Sequence, residues 1–368
     1  MIIPRLEFST ANESGSDHLI DRLVHWSLFG RVALTGVDPG NIPSLEKVVQ
    51  RIGGLVDLQV ELSNLNEADA LTLLNAGTTS ILCDQASAET LTSIPADRLV
   101  HSVADNSSDE AIPRGFVVRL TEPTAERIAE LEMARIDCYV DASQLDQQPE
   151  LIADFLKQVL VTDRPDGLWS TIIVDPLGSA LGLAYSNYES LLYAIENRRG
   201  AYWSRSRGGL WIKGETSGAT QQLLGIRMDC DRDCLRFKVT QDPPGFCHLN
   251  THTCFGQERT IESVVQRLFE RINDSDEQSF TRKLASNAKM LETKLLEEAK
   301  ELSEASQLDD KHEIVWEAAD VLYFSLVAML KNGVTLDRVF QELARRMNRV
   351  VRRKNKLEST QRGNEGDG

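Results

Sequence analysis

The 368-residue sequence has few cysteines and no long apolar run. Six cysteines are too few to staple a chain of this length, which excludes a secreted disulfide scaffold. No stretch reaches the ~18 uninterrupted apolar residues of a membrane helix. The opening MIIPRLEFST also lacks the basic-then-apolar pattern of a secretory signal. We therefore expect a cytoplasmic protein with no membrane partner.

Positive charge is also in short supply. Lys and Arg number 40 against 56 Asp and Glu, so the net charge is −16 and the pI is near 4.9. Such a surface repels phosphate backbones, and we expect no nucleic-acid partner. At ~100–200 residues per domain, the length predicts two to three domains, and 41% hydrophobic residues suffice for their cores.

Residues 1–162 alternate short apolar runs with helical patterns, which predicts an α/β domain with a parallel sheet. The six runs are 31–37, 55–62, 78–84, 98–104, 115–120 and 137–142. Six units are fewer than an eight-fold barrel needs, so a partial barrel and an open sheet are both compatible with the pattern. Cys83 and Cys138 lie in two runs and are predicted to be buried in strands. The domain shows no catalytic constellation, and a structural or dimer-stabilising role is expected.

The remaining chain changes pattern twice, so the fold class predicted is multidomain α+β. Residues 163–258 contain apolar runs punctuated by Gly and Pro, typical of a β-rich domain. Residues 259–355 repeat apolar residues at helical spacing in four stretches, which predicts an all-α four-helix bundle. Residues 356–368 are polar and are predicted to be a disordered tail.

Three aspartates, Asp229, Asp231 and Asp233, alternate with other residues in the segment MDCDRDC. On a strand, alternate residues share one face. Three carboxylates on one face suit a hard cation such as Mg²⁺.

Cysteines accompany these aspartates. Cys230 would lie on the opposite strand face, where a thiolate could serve Zn²⁺, and Cys247 and Cys254 would supply two more thiolates. Three protein ligands leave a position for water, as in catalytic zinc sites. The simpler alternative is an acidic turn with incidental thiols.

A zinc-finger interpretation of the same segment is rejected. Cys230, Cys234, His248 and His252 nearly satisfy the finger spacing. However, residues 243–245 read Pro-Pro-Gly and would break the helix that must lead into His248. No basic recognition face accompanies it either.

A basic segment, residues 198–218, precedes the aspartates. Its four excess positive charges could trap an anion, since arginines bind phosphate through two N–H groups and aromatic rings can stack on a base. The alternative is a solvated basic hairpin. The candidate substrate-binding residues are Arg205, Arg207, Trp211, Lys213, Thr216 and Ser217.

The motifs WSRSRGGLWIKGETSG, DCDRD and CHLNTHTCFG together resemble phosphoribosyl-AMP cyclohydrolase over about residues 170–256. The resemblance implies a Mg²⁺ site on the three aspartates and a Zn²⁺ site on Cys230, Cys247 and Cys254. It also implies a homodimer in which Cys230 reaches the partner's zinc site. Cys234 stands where the family has a small apolar residue, and it is the expected non-ligand.

The resemblance implies hydrolytic opening of the adenine ring of phosphoribosyl-AMP between N1 and C6. Zinc lowers the pKa of its water toward ~7, so a zinc-held hydroxide attacks at neutral pH. His248, next to a ligand, is the candidate proton shuttle, and an orienting role is the alternative.

Two segments of the helical region carry paired carboxylates. Glu298 and Glu301 are three apart in KLLEEAKELSEA, as are Glu317 and Asp320 in IVWEAADVLYF. Residues at this spacing share a helix face, so two facing helices could enclose Mg²⁺. The alternative is a solvated acidic face.

This pattern, with the preceding SFTRKL, resembles phosphoribosyl-ATP pyrophosphohydrolase over about residues 260–350. The resemblance implies Mg²⁺-dependent release of pyrophosphate from phosphoribosyl-ATP, which is a nucleotide substrate. Lys283, Lys294 and Arg282 are candidate phosphate contacts.

The two implied activities are consecutive, and their order along the chain resembles fungal multifunctional histidine-biosynthesis proteins. In those proteins a histidinol dehydrogenase domain follows, and we expect that third activity to be absent here. The alternative function is a nucleotide pyrophosphatase with a structural zinc module.

Overall fold

The computed structural model describes residues 1–8, 16–64, 66–105, 112–113, 115–256, 260–274, 278–308 and 310–350. The predicted tail, 356–368, lies outside these residues. The chain divides into two compact units. The first contains 1–173, 183–243 and the described residues from 341 onward, and the second contains 174–182 and 244–340. No described helix combines the length and apolar character that a membrane crossing requires.

Seven parallel strands close into a barrel in the first unit. They are β1 (Ile2–Glu7), β2 (Arg31–Val37), β3 (Asp57–Leu62), β4 (Ser80–Leu82), β5 (Leu99–Ala104), β6 (Phe116–Arg119) and β7 (Asp137–Asp141). Consecutive strands pair, and β1 closes the barrel on β7 with Ile2 opposite Cys138. The parallel sheet predicted from the sequence is confirmed. The expectation of a partial barrel or an open sheet is wrong, because closure leaves no unpaired edge.

The strand that sequence reasoning missed is β1. It contains Pro4, which lacks an N–H and argues against a central strand. Cys138 is buried in β7 as predicted, whereas Cys83 follows the end of β4 and is only half-buried, so its strand assignment was wrong.

In the described part of residues 1–162, seven α-helices accompany the barrel strands. They are α1 (Ser16–Trp26), α2 (Ile42–Ile52), α3 (Glu67–Ala76), α4 (Gln85–Ala88), α5 (Ala125–Met133), α6 (Ala142–Gln147) and α7 (Glu150–Val159). One buried cluster takes a residue from each of five strands, namely Ile3, Ala33, Leu82, Val117 and Tyr139. Side chains from several strands therefore fill the interior, which makes it a packed core.

The segment from Gln341 onward packs on this barrel through Arg345. Arg345 is 8% exposed, and its guanidinium donates to the Ala76 carbonyl at 2.7 Å. Two further nitrogens bond the Glu342 carboxylate at 2.6 and 2.7 Å. Gly77 lies beneath, with φ of +130°, and an added Cβ would lie 2.4 Å from the Arg345 side chain. The arginine therefore anchors this segment.

The central region is rich in strands, as predicted. Its elements are β8 (Trp169–Val174), β9 (Ala180–Ser186), α8 (Tyr188–Asn197), β10 (Ala201–Ser204), β11 (Gly209–Ile212), β12 (Gln221–Met228) and β13 (Cys234–Gln241). Four strands form a sheet in the order β12-β13-β8-β9, and β10 pairs with β11 separately. Helix α8 begins at a capping box in which Asn187 and Ser190 exchange hydrogen bonds.

The C-terminal region is helical, but its described residues form five helices where four were predicted. They are α9 (Ile261–Asn273), α10 (Phe280–Ser286), α11 (Ala288–Leu308), α12 (Lys311–Leu330) and α13 (Leu336–Met347). The additional helix is α10, which a single residue, Asn287, separates from α11. Its Leu284 packs with Leu291, Phe324 and Val327 in one buried cluster, so its apolar pattern merges with that of α11.

Candidate metal centres

The aspartate loop, residues 229–233, connects β12 to β13. The alternating spacing predicts a strand here, but Asp229, Asp231 and Asp233 lie in the connection between the strands. Their carboxylate oxygens still converge, to within 4.8 Å of one another, and all three residues are exposed. The predicted grouping is therefore present, although a turn and not a strand face produces it.

Hydrogen bonds shape this loop. Asp229 Oδ1 accepts from the backbone amides of Asp233 and Cys234, both at 3.1 Å. Burial raises the pKa of Asp229, but these amides and the neighbouring aspartates outweigh it, so its pKa lies below the usual value. Asp233 shares a hydrogen bond with Asp229 and faces the charge of Asp231, which together raise the pKa of Asp233. A divalent cation would relieve this crowding of negative charge.

The thiol loop, residues 245–254, follows Pro244 in the second unit and carries Cys247 and Cys254. Gly245 has φ of +133°, and an added Cβ would lie 2.5 Å from the backbone of Thr251, so only glycine fits. Cys247 and Thr251 then hydrogen-bond across the loop at 3.1 Å, and the amide of Cys254 donates to Leu181 at 2.8 Å. The loop thereby gives both cysteines a defined backbone position.

The environment of Cys247 favours a thiolate. The side chain is buried, and the backbone N–H of Leu249 donates to Sγ at 3.5 Å. This bond, with contributions from Thr251 and Cys254, lowers the pKa of Cys247. Thiolates are the form that binds zinc. His248 is exposed, with Nδ1 3.9 Å from Cys247 Sγ.

The predicted zinc ligands come from both units. Cys230 is exposed in the aspartate loop of the first unit, whereas Cys247 and the exposed Cys254 belong to the second. Cys234 begins β13 and lies half-buried, with Sγ donating to the Leu235 carbonyl.

The helix carboxylates also converge. Glu298 of α11 is only 8% exposed, and its carboxylate groups with those of Glu317 and Asp320 of α12 within 4.8 Å. Glu301, predicted with them, lies outside this group. Burial, together with the charges of Glu301, Glu298 and Asp320, raises the pKa of Glu317. Among described residues, nothing hydrogen-bonds the buried Glu317 Oε2. This donor set fits a hard divalent cation.

The two predicted lysine contacts of the helical region differ in their surroundings. Lys294 Nζ is 3.6 Å from Glu298 and 2.9 Å from Glu297, at the edge of the cluster. Lys283 is exposed and donates to Gln278.

The basic segment forms the β10–β11 hairpin and the turn after it. Trp211 pairs with Tyr202, with ring centroids 5.5 Å apart. The Arg205 guanidinium lies 4.0 Å from the Tyr185 ring centroid, and Arg207 is exposed. Aromatic and cationic groups therefore neighbour one another on this surface.

The turn after β11 contains the other predicted phosphate contacts, one of them buried and two exposed. Lys213 is only 5% exposed and donates to the Ala219 carbonyl at 3.1 Å. Thr216 and Ser217 are exposed.

One group was missed by sequence reasoning. Asp175, His252 and Glu262 bring ligand atoms within 4.8 Å of one another. In the sequence, His252 has metal-ligand spacing only in the rejected zinc finger, and no spacing rule connects it with the other two. All three metal-competent groups of the described chain involve residues after 174, so none lies in the barrel.

Comparison with known proteins agrees with these positions. Residues 182–256 match the phosphoribosyl-AMP cyclohydrolase family, and residues 262–347 match the phosphoribosyl-ATP pyrophosphohydrolase family. The histidine biosynthesis trifunctional protein of Saccharomyces cerevisiae is 36% identical over 344 residues, which are 91% of this chain and 41% of that protein. The chain thus spans less than half the length of this trifunctional relative.

Shorter relatives match over more of their length. The histidine biosynthesis bifunctional protein of Photobacterium profundum is 35% identical over 199 residues, covering 51% of this chain and 96% of that protein. The corresponding bifunctional protein of Schizosaccharomyces pombe is 34% identical over 360 residues and 85% of both chains. With nearly all of a relative matched at this identity, the chain belongs to the phosphoribosyl-AMP cyclohydrolase and phosphoribosyl-ATP pyrophosphohydrolase family of histidine-biosynthesis proteins.

Proposed function

We propose that this chain catalyses two consecutive hydrolyses. The first releases pyrophosphate from phosphoribosyl-ATP, and the second opens the adenine ring of phosphoribosyl-AMP between N1 and C6. The observation that carries the proposal is a convergent carboxylate cluster in each family-matched segment, one at residues 229–233 and one on α11 and α12. The product of the first reaction is the substrate of the second.

For pyrophosphate release, Glu298, Glu317 and Asp320 would hold Mg²⁺, with Glu301 as a further ligand from outside the group. Bound there, Mg²⁺ supplies positive charge to phosphate oxygens and orients the attacking water. Lys294 is proposed to contact a phosphate that enters the cluster, and the 3.6 Å distance from its ammonium to Glu298 supports this role. The exposed Lys283 is proposed as a second phosphate contact.

For ring opening, Cys230, Cys247 and Cys254 would hold Zn²⁺, and the aspartate loop would hold Mg²⁺. Zinc held by thiolates lowers the pKa of a water molecule toward ~7. The lowered thiol pKa of Cys247 supports this donor set. His248 is proposed to carry a proton between water and the ring, with an orienting role as the alternative.

Phosphoribosyl-AMP would bind through the basic segment. Arg205 and Arg207 would contact its phosphate, and Trp211 would pack on the base. Thr216 and Ser217 offer exposed hydroxyls for the same phosphate. Lys213 would join them only if it exchanged its bond to Ala219 for one to the substrate.

A homodimer completes the proposal, with Cys230 contributed to the partner's zinc site. Large apolar side chains on the described surface of α11 and α12 support self-association. Leu296 is 65% exposed and Trp316 is 62% exposed.

The test is to incubate the metal-replete protein with phosphoribosyl-ATP and to follow pyrophosphate and ring-opened product separately. Both should form, with phosphoribosyl-AMP as the intermediate. Ordinary nucleoside triphosphates serve as competing substrates. Turnover of those nucleotides without any ring opening would instead identify a nucleotide pyrophosphatase with a structural zinc module.

A further inference from the structure

Three residues that are distant in sequence meet in the second unit. Asp175 directly follows β8, His252 lies in the thiol loop, and Glu262 is in the first turn of α9. Asp175 is 2% exposed, and its Oδ1 accepts from the backbone amide of Ser179 at 2.8 Å. This bond fixes one carboxylate oxygen and leaves Oδ2 to face His252.

The imidazole lies between two carboxylates. His252 Nε2 is 3.0 Å from Glu262 Oε1 and 3.9 Å from Asp175 Oδ2. Asp175 Oδ2 and Glu262 Oε2 are buried, and no described residue donates a hydrogen bond to either atom. His252 Nε2 makes no well-aligned hydrogen bond with the described residues either.

Protein groups alone satisfy this arrangement poorly. One imidazole N–H can serve at most one carboxylate oxygen well. Two carboxylates withdrawn from water without enough donors are costly. A cation bound by the imidazole and by one oxygen of each carboxylate would supply the missing positive charge.

The distances suit such an ion. Two atoms bonded to one zinc ion at about 2.1 Å are at most about 4.2 Å apart. The imidazole–carboxylate separations of 3.0 and 3.9 Å lie within this limit. One nitrogen and two carboxylate oxygens are ligands typical of Zn²⁺ and Mn²⁺ sites.

Access is available from one side. His252 and Glu262 line a cavity of about 250 Å³, together with Ser263, Gln266 and Glu270. Ligand positions not taken by the protein would face this cavity, where water or a small anion could complete the coordination.

We propose that Asp175, His252 and Glu262 form a divalent transition-metal site, separate from the thiolate and carboxylate sites of the proposed function. The ion would link the end of β8 and the thiol loop, which belongs to the cyclohydrolase-like segment, to the first helix of the pyrophosphohydrolase-like segment. Its role is to hold Cys247 and Cys254 in place relative to α9.

The experiment measures bound zinc per chain after equilibration with a micromolar zinc buffer. Wild type is compared with Glu262→Gln and His252→Gln. Glu270→Gln is the matched control, because Glu270 lines the same cavity but lies outside the three-residue group. We expect each of the first two variants to lose one zinc equivalent and to keep the thiolate-held one, and the control to match wild type.

A second measurement does not depend on how the variants fold. Crystals of the wild-type chain exposed to zinc should show an anomalous peak between Asp175, His252 and Glu262. Equal zinc content in wild type and folded Glu262→Gln would overturn the proposal. So would a map that shows no peak there, which would leave the imidazole in contact with the carboxylates alone. Neither result would touch the proposed hydrolyses, which use other residues.

Discussion

Replacing Glu317 by Gln is the sharpest test of the helix carboxylate cluster. The change keeps the shape of the side chain but removes one of three convergent charges. Burial and neighbouring acids raise the pKa of Glu317, so ionised Glu317 destabilises the metal-free fold. A group with a raised pKa contributes stability below its ordinary pKa and loses it as pH rises through the folded value. Metal-free Glu317→Gln should therefore be at least as stable as wild type at neutral pH.

Added Mg²⁺ should reverse this order. At a concentration of about 100 Kd, a bound ion stabilises the fold by about 2.7 kcal/mol, which is about 3–4 °C in Tm for a 368-residue chain that unfolds as one unit. Loss of one charged ligand should weaken Kd on the order of 100-fold, the upper end of the about 10–100-fold that losing a hydrogen-bond partner of a metal ligand costs. The same Mg²⁺ concentration then gives only about 0.4 kcal/mol. The magnesium-induced shift in Tm should nearly disappear.

The assay is thermal unfolding with and without Mg²⁺, in a background of Asp231→Asn and Asp233→Asn that removes the aspartate loop site. Glu304→Gln is the control, because Glu304 is 60% exposed and pairs with Lys300 away from the cluster. An equal magnesium-induced shift in Glu317→Gln and the control would refute the proposed cation site.

Three further outcomes are expected. Cys247→Ser should abolish ring opening and leave pyrophosphate release intact, whereas Cys234→Ser should retain both; joint loss of both activities in a folded Cys247→Ser would contradict independent sites. Arg345→Met should lower the free energy of unfolding in urea by about 2–4 kcal/mol. The reason is that the Ala76 carbonyl and Glu342 lose a charged donor. A change below about 0.5 kcal/mol would exclude an anchoring role. Hydrogen bonding from Arg345 lowers the pKa of Glu342 from 4.5 to about 2, so this contribution is present above pH 4.5 and lost as pH falls toward 2. The stability difference between wild type and Arg345→Met should shrink over that window, and a pH-independent difference would count against the pair.

Local spacing was sufficient to predict much of the secondary structure. The run 31–37 became β2 with the same bounds, and the run 137–142 became β7, which ends one residue earlier. The i, i+3 spacing of Glu317 and Asp320 places them in one metal-competent group. These features depend on neighbours along the chain, because backbone geometry alone sets which residues share a face.

Folding in three dimensions decided the rest. Closure of the barrel depends on the pairing of β1 with β7, which no local pattern encodes. Pro4 also makes the sequence of β1 atypical of a central strand. The aspartates converge through a turn that alternation did not predict. Asp175, His252 and Glu262 meet because the segment after β8, the thiol loop and α9 belong to one compact unit. Sequence spacing therefore determines which side chains a single element presents, whereas tertiary packing determines which elements bring their side chains to the same point.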